Sequence, residues 1–148
     1  MSSIDPSIIA ALAIQADSSP HRHVIDITTI GARSGQPRRI EIWFHRVDGH
    51  FYISGMPTAR NWYANLRKNP DFVFHLKGEV HADLPARALP VDDETRRRVI
   101  PAIVGQQDLP EYAARGVPHQ NVDVWLARSP LVEVRFDDDK LQAAASVA

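Results

Sequence analysis

The 148-residue chain contains no cysteine. That absence excludes disulfides, thiolate nucleophiles and cysteine-bound zinc or iron–sulfur centres. Long hydrophobic runs are missing as well. The apolar stretch near the N-terminus is too short to span a bilayer and no basic region precedes it, so stable membrane insertion and a signal peptide are not expected and the cytoplasm is the default location. No charge of one sign dominates: 17 Lys/Arg against 18 Asp/Glu give a net charge of −1, which supplies no bulk attraction to nucleic acid. The seven histidines include no i, i+4 pair on a helical stretch, and His45, His50, His75 and His81 sit on or beside different strands, so no metal site is expected. A Gly-x-Ser-x-Gly elbow is absent, which argues against a nucleophilic hydrolase.

What is present fits an ordinary globular chain, 44% apolar and 24% charged. The length predicts a single domain over 1–148 with one substantial core. Asp5-Pro6 is a helix start, a capping carboxylate followed by proline at the first helical position, and opens an N-terminal helical segment within 1–20. His23 to Ile30 is dense in β-branched residues. From Arg39 to Val47 apolar and polar residues alternate, and Asp48-Gly49 predicts a two-residue hairpin into His50–Ser54. A short helix is predicted over 59–68, stopped by Asn69-Pro70. Strands follow over Phe72–Leu76 and Glu79–Leu89, then a helix over Asp92–Val104. Short helices over Pro110–Arg115 and Asn121–Ala127 precede a last strand within Pro130–Phe136, and the alanine-rich tail, 137–148, is expected to fray. About six strands joined mainly by hairpins, with inserted and flanking helices, predict an α+β fold on an antiparallel barrel or strongly curled sheet.

Two segments carry chemistry. The first is Gly31-Ala32-Arg33-Ser34-Gly35-Gln36-Pro37-Arg38-Arg39, a tight basic loop between two predicted strands. It lacks the Gly-Lys-Ser/Thr ending of a nucleotide triphosphatase loop and feeds a strand instead of a helix. Its geometry permits backbone N–H groups to form an anion nest, with Arg33, Ser34 and Arg38 adding charge-assisted donors; by itself the loop fits a basic hairpin turn without a ligand slightly better. The second is Asn61-Trp62-Tyr63-Ala64-Asn65-Leu66-Arg67-Lys68-Asn69-Pro70. Trp62 and Tyr63 alone fit core anchors, whereas Arg60 and Asn61 at the helix start place free N–H groups and a positive dipole end where an anionic group could rest. From Arg22 to Lys77 nine Lys/Arg face only Asp26, Glu41, Asp48 and Asp71, so the basic excess coincides with both segments. Together they suggest a site for a large, flat, phosphorylated ligand.

Taken together, the segments resemble the deazaflavin-dependent nitroreductase family, split-barrel proteins that use coenzyme F420. The residues that carry the resemblance are Thr28-Thr29-Ile30-Gly31-Ala32-Arg33-Ser34-Gly35-Gln36-Pro37-Arg38 and Trp62-Tyr63-Ala64-Asn65-Leu66-Arg67-Lys68-Asn69-Pro70. The resemblance implies an antiparallel split β-barrel with the deazaflavin in a surface groove. It assigns the cofactor's phosphate and acidic tail to Arg33, Ser34 and Arg38 with the backbone of Gly31, Gly35, Gln36 and Pro37, and the borders of its ring to Ser54, Gly55, Arg60, Asn61 and Trp62. The implied reaction passes a hydride from the reduced cofactor to a small electron acceptor, a quinone, enone or nitro compound; Tyr112 and His119, outside the matched motifs, are candidate proton donors that the resemblance does not fix. The chain departs from the family pattern at Gly55-Met56-Pro57-Thr58-Ala59-Arg60, where family members are glycine-rich. An FMN-dependent reductase on the same barrel, or a non-catalytic carrier of a flavin, haem or lipid-like ligand, are the alternatives. The architecture is compatible with a monomer or a homodimer.

Overall fold

A computed structural model describes residues 4–15, 18–57, 60–107 and 121–148. Six strands build it: β1 (Val24–Ile30), β2 (Pro37–Val47), β3 (His50–Ser54), β4 (Asp71–Lys77), β5 (His81–Pro90) and β6 (Leu131–Phe136). They close into an antiparallel barrel in the order β1-β2-β3-β6-β5-β4, with β4 returning to pair with β1. Closure leaves no sheet edge unpaired. The helices are α1 (Pro6–Leu12), α2 (Asn61–Lys68), α3 (Asp93–Gln107), α4 (Val122–Arg128) and α5 (Asp139–Val147), with a 3₁₀ turn at Pro20–His23. The fold is the α+β antiparallel barrel that the strand pattern predicts, and the split barrel that the resemblance implies.

Alternation along the strands fills the barrel. Ile25 and Ile27 of β1 point inward opposite Ile42 and Ile40 of β2, and Ile27 also faces Phe74 of β4. Phe44, Phe51, Phe74 and Phe136 meet at the centre. Phe74 stands edge-on to Phe44 and Phe136, with ring centroids 5.1 and 5.3 Å apart, a favoured aromatic geometry. A second apolar cluster lies outside the barrel, where Tyr52 and Leu131 pack under Val99, Ile100 and Ile103 of α3 and Trp125 of α4. Arg96 of α3 ties the two helices by donating to the carbonyls of Trp125, Leu126 and Ser129 at the end of α4.

The hairpin at Asp48-Gly49 forms as expected, both residues at positive φ (53° and 78°) as a two-residue primed turn requires. Two terminal expectations are corrected. The N-terminal helix ends at Leu12, where Ala13 leaves helical geometry, and the chain reaches β1 through the 3₁₀ turn. The C-terminal tail does not fray: it is α5, capped by Asp138, whose carboxylate accepts from the N–H groups of Lys140 and Leu141. Leu141 and Ala145, one turn apart, are buried against the barrel with Leu12 and Ile14. Arg46 closes the other end of α5 by donating to the carbonyls of Ala145, Ser146 and Ala148. The segment expected as a helix over Pro110–Arg115 lies outside the described residues.

Candidate functional site

The β1–β2 loop of the predicted site is held by a set of backbone and side-chain hydrogen bonds. Gly31 N–H donates to the carbonyl of Gln36 and Gly35 N–H to that of Gly31, each at 2.9 Å. Gly35 sits at φ +67°, the left-handed region that glycine enters without strain. Ser34 Oγ lies inside the turn, accepts from Gln36 N–H at 3.2 Å, and occupies the space that a side chain at position 31 would need. Ala32 N–H donates to Asn65 Oδ1 at 2.8 Å. The nest expected from Gly31 to Gln36 is therefore narrower than the sequence suggests, because four of its N–H groups are committed within the fold. Among the described residues, no hydrogen bond engages the N–H of Arg33 or of Ser34.

Helix α2 fixes this loop. Asn65 is buried (8% exposed). Its amide accepts from Ala32 and donates to Thr29 Oγ1 at 3.1 Å, while Lys68 Nζ donates to the carbonyl of Ala32 at 2.7 Å. Three hydrogen bonds thus bind one turn of helix to the end of β1 and the first residues of the loop. Asn65 and Lys68 belong to the quoted motif, yet sequence reasoning did not single them out as site residues. The sequence carried no signal for them, since the partners of Asn65 lie 33 and 36 residues away in the chain.

The basic side chains divide into two groups. Arg39 is taken up, its Nε 2.9 Å from Asp26 Oδ2. Lys77 is held by Asp26 at 2.7 Å and by Glu41. Burial pushes the Asp26 carboxyl up, but the hydrogen bonds from Lys77 and Arg39 outweigh it and hold the group below the usual carboxylate range. Arg33 and Arg38 are exposed, and among the described residues neither has an ion pair or a side-chain hydrogen bond. Arg38 stands opposite Thr29 in the ladder and so shares the face on which Asn65 binds Thr29.

The ring-side residues present a mixed picture. Trp62 is buried (7% exposed) and stands edge-on to Tyr63. Gly55 packs against the indole: a side chain there would lie in ordinary contact with Trp62, 3.6 Å from its ring. Ser54 is buried and its hydroxyl donates to the carbonyl of Pro130 at 2.7 Å, so that proton is already committed. Asn61 is exposed at the start of α2, and Arg60 precedes it with no side-chain cap on the helix. The Arg60 Nε is buried and unpartnered among the described residues. An orphan guanidinium donor beside an uncapped helix N-terminus, with Arg33 on the loop and Arg38 at the start of β2 lacking an ion pair among the described residues, fits an anionic, phosphorylated guest. Tyr112 and His119 lie outside the described residues.

Elsewhere, His75 bridges three strands, with Nε2 at 2.7 Å from Thr28 Oγ1 and Nδ1 at 2.6 Å from Asp83. His23 is buried, with Nδ1 at 2.9 Å from the carbonyl of Phe44 and its ring stacked on Trp43. Among the described residues no group of three or more potential ligands is arranged to hold a metal ion, and no helix is long and apolar enough to cross a membrane.

The profile of the F420H(2)-dependent quinone reductase family matches residues 16–125. In fold the chain is similar to conserved hypothetical protein Rv2991 from Mycobacterium tuberculosis, with a TM-score of 0.60 and 18% identity over 92% of this chain and 82% of that one. It is similar to protein Atu2129 from Agrobacterium tumefaciens, with a TM-score of 0.57 and 13% identity over 91% of this chain and 56% of that one. An F420 reductase aligns with a TM-score of 0.50 and 19% identity, over 77% of this chain and 86% of that one.

Proposed function

The chain belongs to the F420H(2)-dependent quinone reductase family, and from that premise we propose that its acceptor is a small, activated, planar molecule, a quinone first, with an enone or nitro compound as chemical equivalents. The protein is an F420-dependent oxidoreductase. When bound, coenzyme F420 supplies the hydride.

In this reading the chain's own residues do five things. Arg33 and Arg38, with the hydroxyl of Ser34 and the free N–H groups of Arg33 and Ser34, hold the phosphate and acidic tail. Two guanidinium groups that have no counter-ion among the described residues offer charge-assisted donors without first breaking another pair there. Asn65 and Lys68 keep the loop in one shape, so binding does not have to order it. Arg60 and the uncapped start of α2, at Asn61, supply a second anionic contact. Gly55 and Trp62 form an apolar wall that keeps water from one side of the ring and orients the acceptor. Proton donation after transfer is assigned to Tyr112 or His119.

The observation that carries this reading is the contrast between Arg39, tied to Asp26, and its neighbours Arg33 and Arg38, which have no such partner among the described residues. A titration of F420 against FMN on one preparation tests it. F420 is expected to bind more tightly than FMN, and reduced F420 to be oxidised when a soluble quinone such as menadione is added. Tight binding without oxidation across quinones, enones and nitroaromatics would make the protein a carrier. Tighter binding of FMN would make it the flavin-dependent relative.

A further inference from the structure

We propose that the cleft between α1 and the β4–β5 turn is a second ligand site, built for a short amphipathic carboxylate. The cleft has a volume of about 300 Å³, at the lower end of the range for small-molecule pockets. It lies at the start of β1, beside Val24, whereas the glycine loop follows Ile30 at the other end. Six residues of extended strand separate the two by about 20 Å, so the cleft is not part of the cofactor groove.

Its lining combines apolar and basic side chains. Ala11 of α1, Val24, Leu76 and Val80 are the apolar part, all at least half-buried. The basic part is the exposed Arg22 and the half-buried Lys77. Arg22, on the 3₁₀ turn, reaches across to α1, where its Nη2 donates to the carbonyl of Ala10 at 2.8 Å. One donor of the guanidinium is thereby committed and the group is held in place. Among the described residues its other donors make no hydrogen bond and the side chain has no ion pair. Lys77 also lines the cleft, its ammonium fixed by Asp26 and Glu41. Glu79 is the acid of the lining and lies on the β4–β5 turn. A fixed guanidinium in a cleft with apolar lining suits a carboxylate head on a short hydrocarbon stem: the planar fork takes the two oxygens together, and the stem leaves water against Leu76 and Val80. A phosphate or a bare inorganic anion would leave that apolar lining unused.

Backbone amide NMR of the full chain, titrated with octanoate, with octan-1-ol and with butyrate, tests the assignment. Octanoate is expected to shift the amides of Ala10, Ala11 and residues 76–80, to bind about tenfold more tightly than either partner compound, and to do so equally with F420 present. Arg22→Gln should lower octanoate affinity about tenfold and leave octan-1-ol unchanged. Ala10→Trp, an exposed position that a large ring would carry over the cleft, should abolish both. The proposal is overturned if octanol matches octanoate, if F420 displaces octanoate, if the shifts map to residues 31–36, or if none appear at about 10 mM. Should Arg22→Gln unfold, the comparison of octanoate with octanol on the unaltered chain decides the matter alone.

Discussion

At the scale of single residues, Asn65 links sequence to function most directly. Its side chain satisfies the N–H of Ala32 and a buried hydroxyl, Thr29, that would otherwise lack a donor. Asn65→Ala leaves both groups unpaired and should cost about 1–3 kcal/mol in urea unfolding. It should weaken F420 binding more than it slows turnover at saturation, since the loop loses its shape while the ring contacts remain. Asn65→Asp keeps the acceptor for Ala32 and should recover part of both. An Asn65→Ala protein with unchanged stability and unchanged F420 affinity would remove the residue from the account. None of this was legible beforehand, because the bonds join positions 33 and 36 residues apart in the chain. The same holds for Ser54, whose commitment to the carbonyl of Pro130 spans 76 residues.

His23 makes a second residue-scale prediction. Burial pushes its imidazole below the ordinary histidine range, against the smaller opposing effect of its hydrogen bond to Phe44. The folded state therefore favours the neutral ring. Stability from this residue is fully present above the unfolded value of about 6.5 and is lost as pH falls from there through the depressed folded value. Unfolding free energies measured at pH 7.5 and 5.5 should differ in the unaltered chain, and His23→Gln should shrink that difference. An equal difference in both proteins would contradict the assignment.

At the scale of elements, what could be read early was what depends on near neighbours. The β-branched run of β1, the alternation in β2 and the Asp48-Gly49 turn are local signals, and the strands stand where those signals put them. The N-terminal helix stops short, at Leu12: Ala13 leaves helical geometry and Ile14 joins the buried core. Helix α5 was missed because alanine hides its buried stripe: the only large apolar side chain in its first turns is Leu141. Asp138 was the available signal, an N-cap residue in front of good helix formers. Asp138→Ala should lower stability by about 1 kcal/mol, and Leu141→Ala by about 2–5 kcal/mol, both read from urea unfolding. If Leu141→Ala costs nothing, α5 does not seal the barrel.

At the scale of the whole molecule, the closed barrel separates two tasks. Its interior of interlocking phenylalanines supplies a rigid frame, and its rim carries the chemistry. The arginine-bearing loop is held on that rim by α2, while the cleft by Arg22 opens at the far end of the same strand. A rigid frame with exposed cations should give cofactor binding that weakens as salt rises, since surface charges are screened over about 8–10 Å.

The most direct measurement is the affinity for F420 of Arg33→Ala/Arg38→Ala beside that of the unaltered chain, at low and at high salt. The account predicts that the double variant keeps its fold, loses at least about tenfold in affinity, or 1.4 kcal/mol, and loses most of the salt dependence with it. A folded double variant that binds F420 as tightly as before, with the same response to salt, would contradict it.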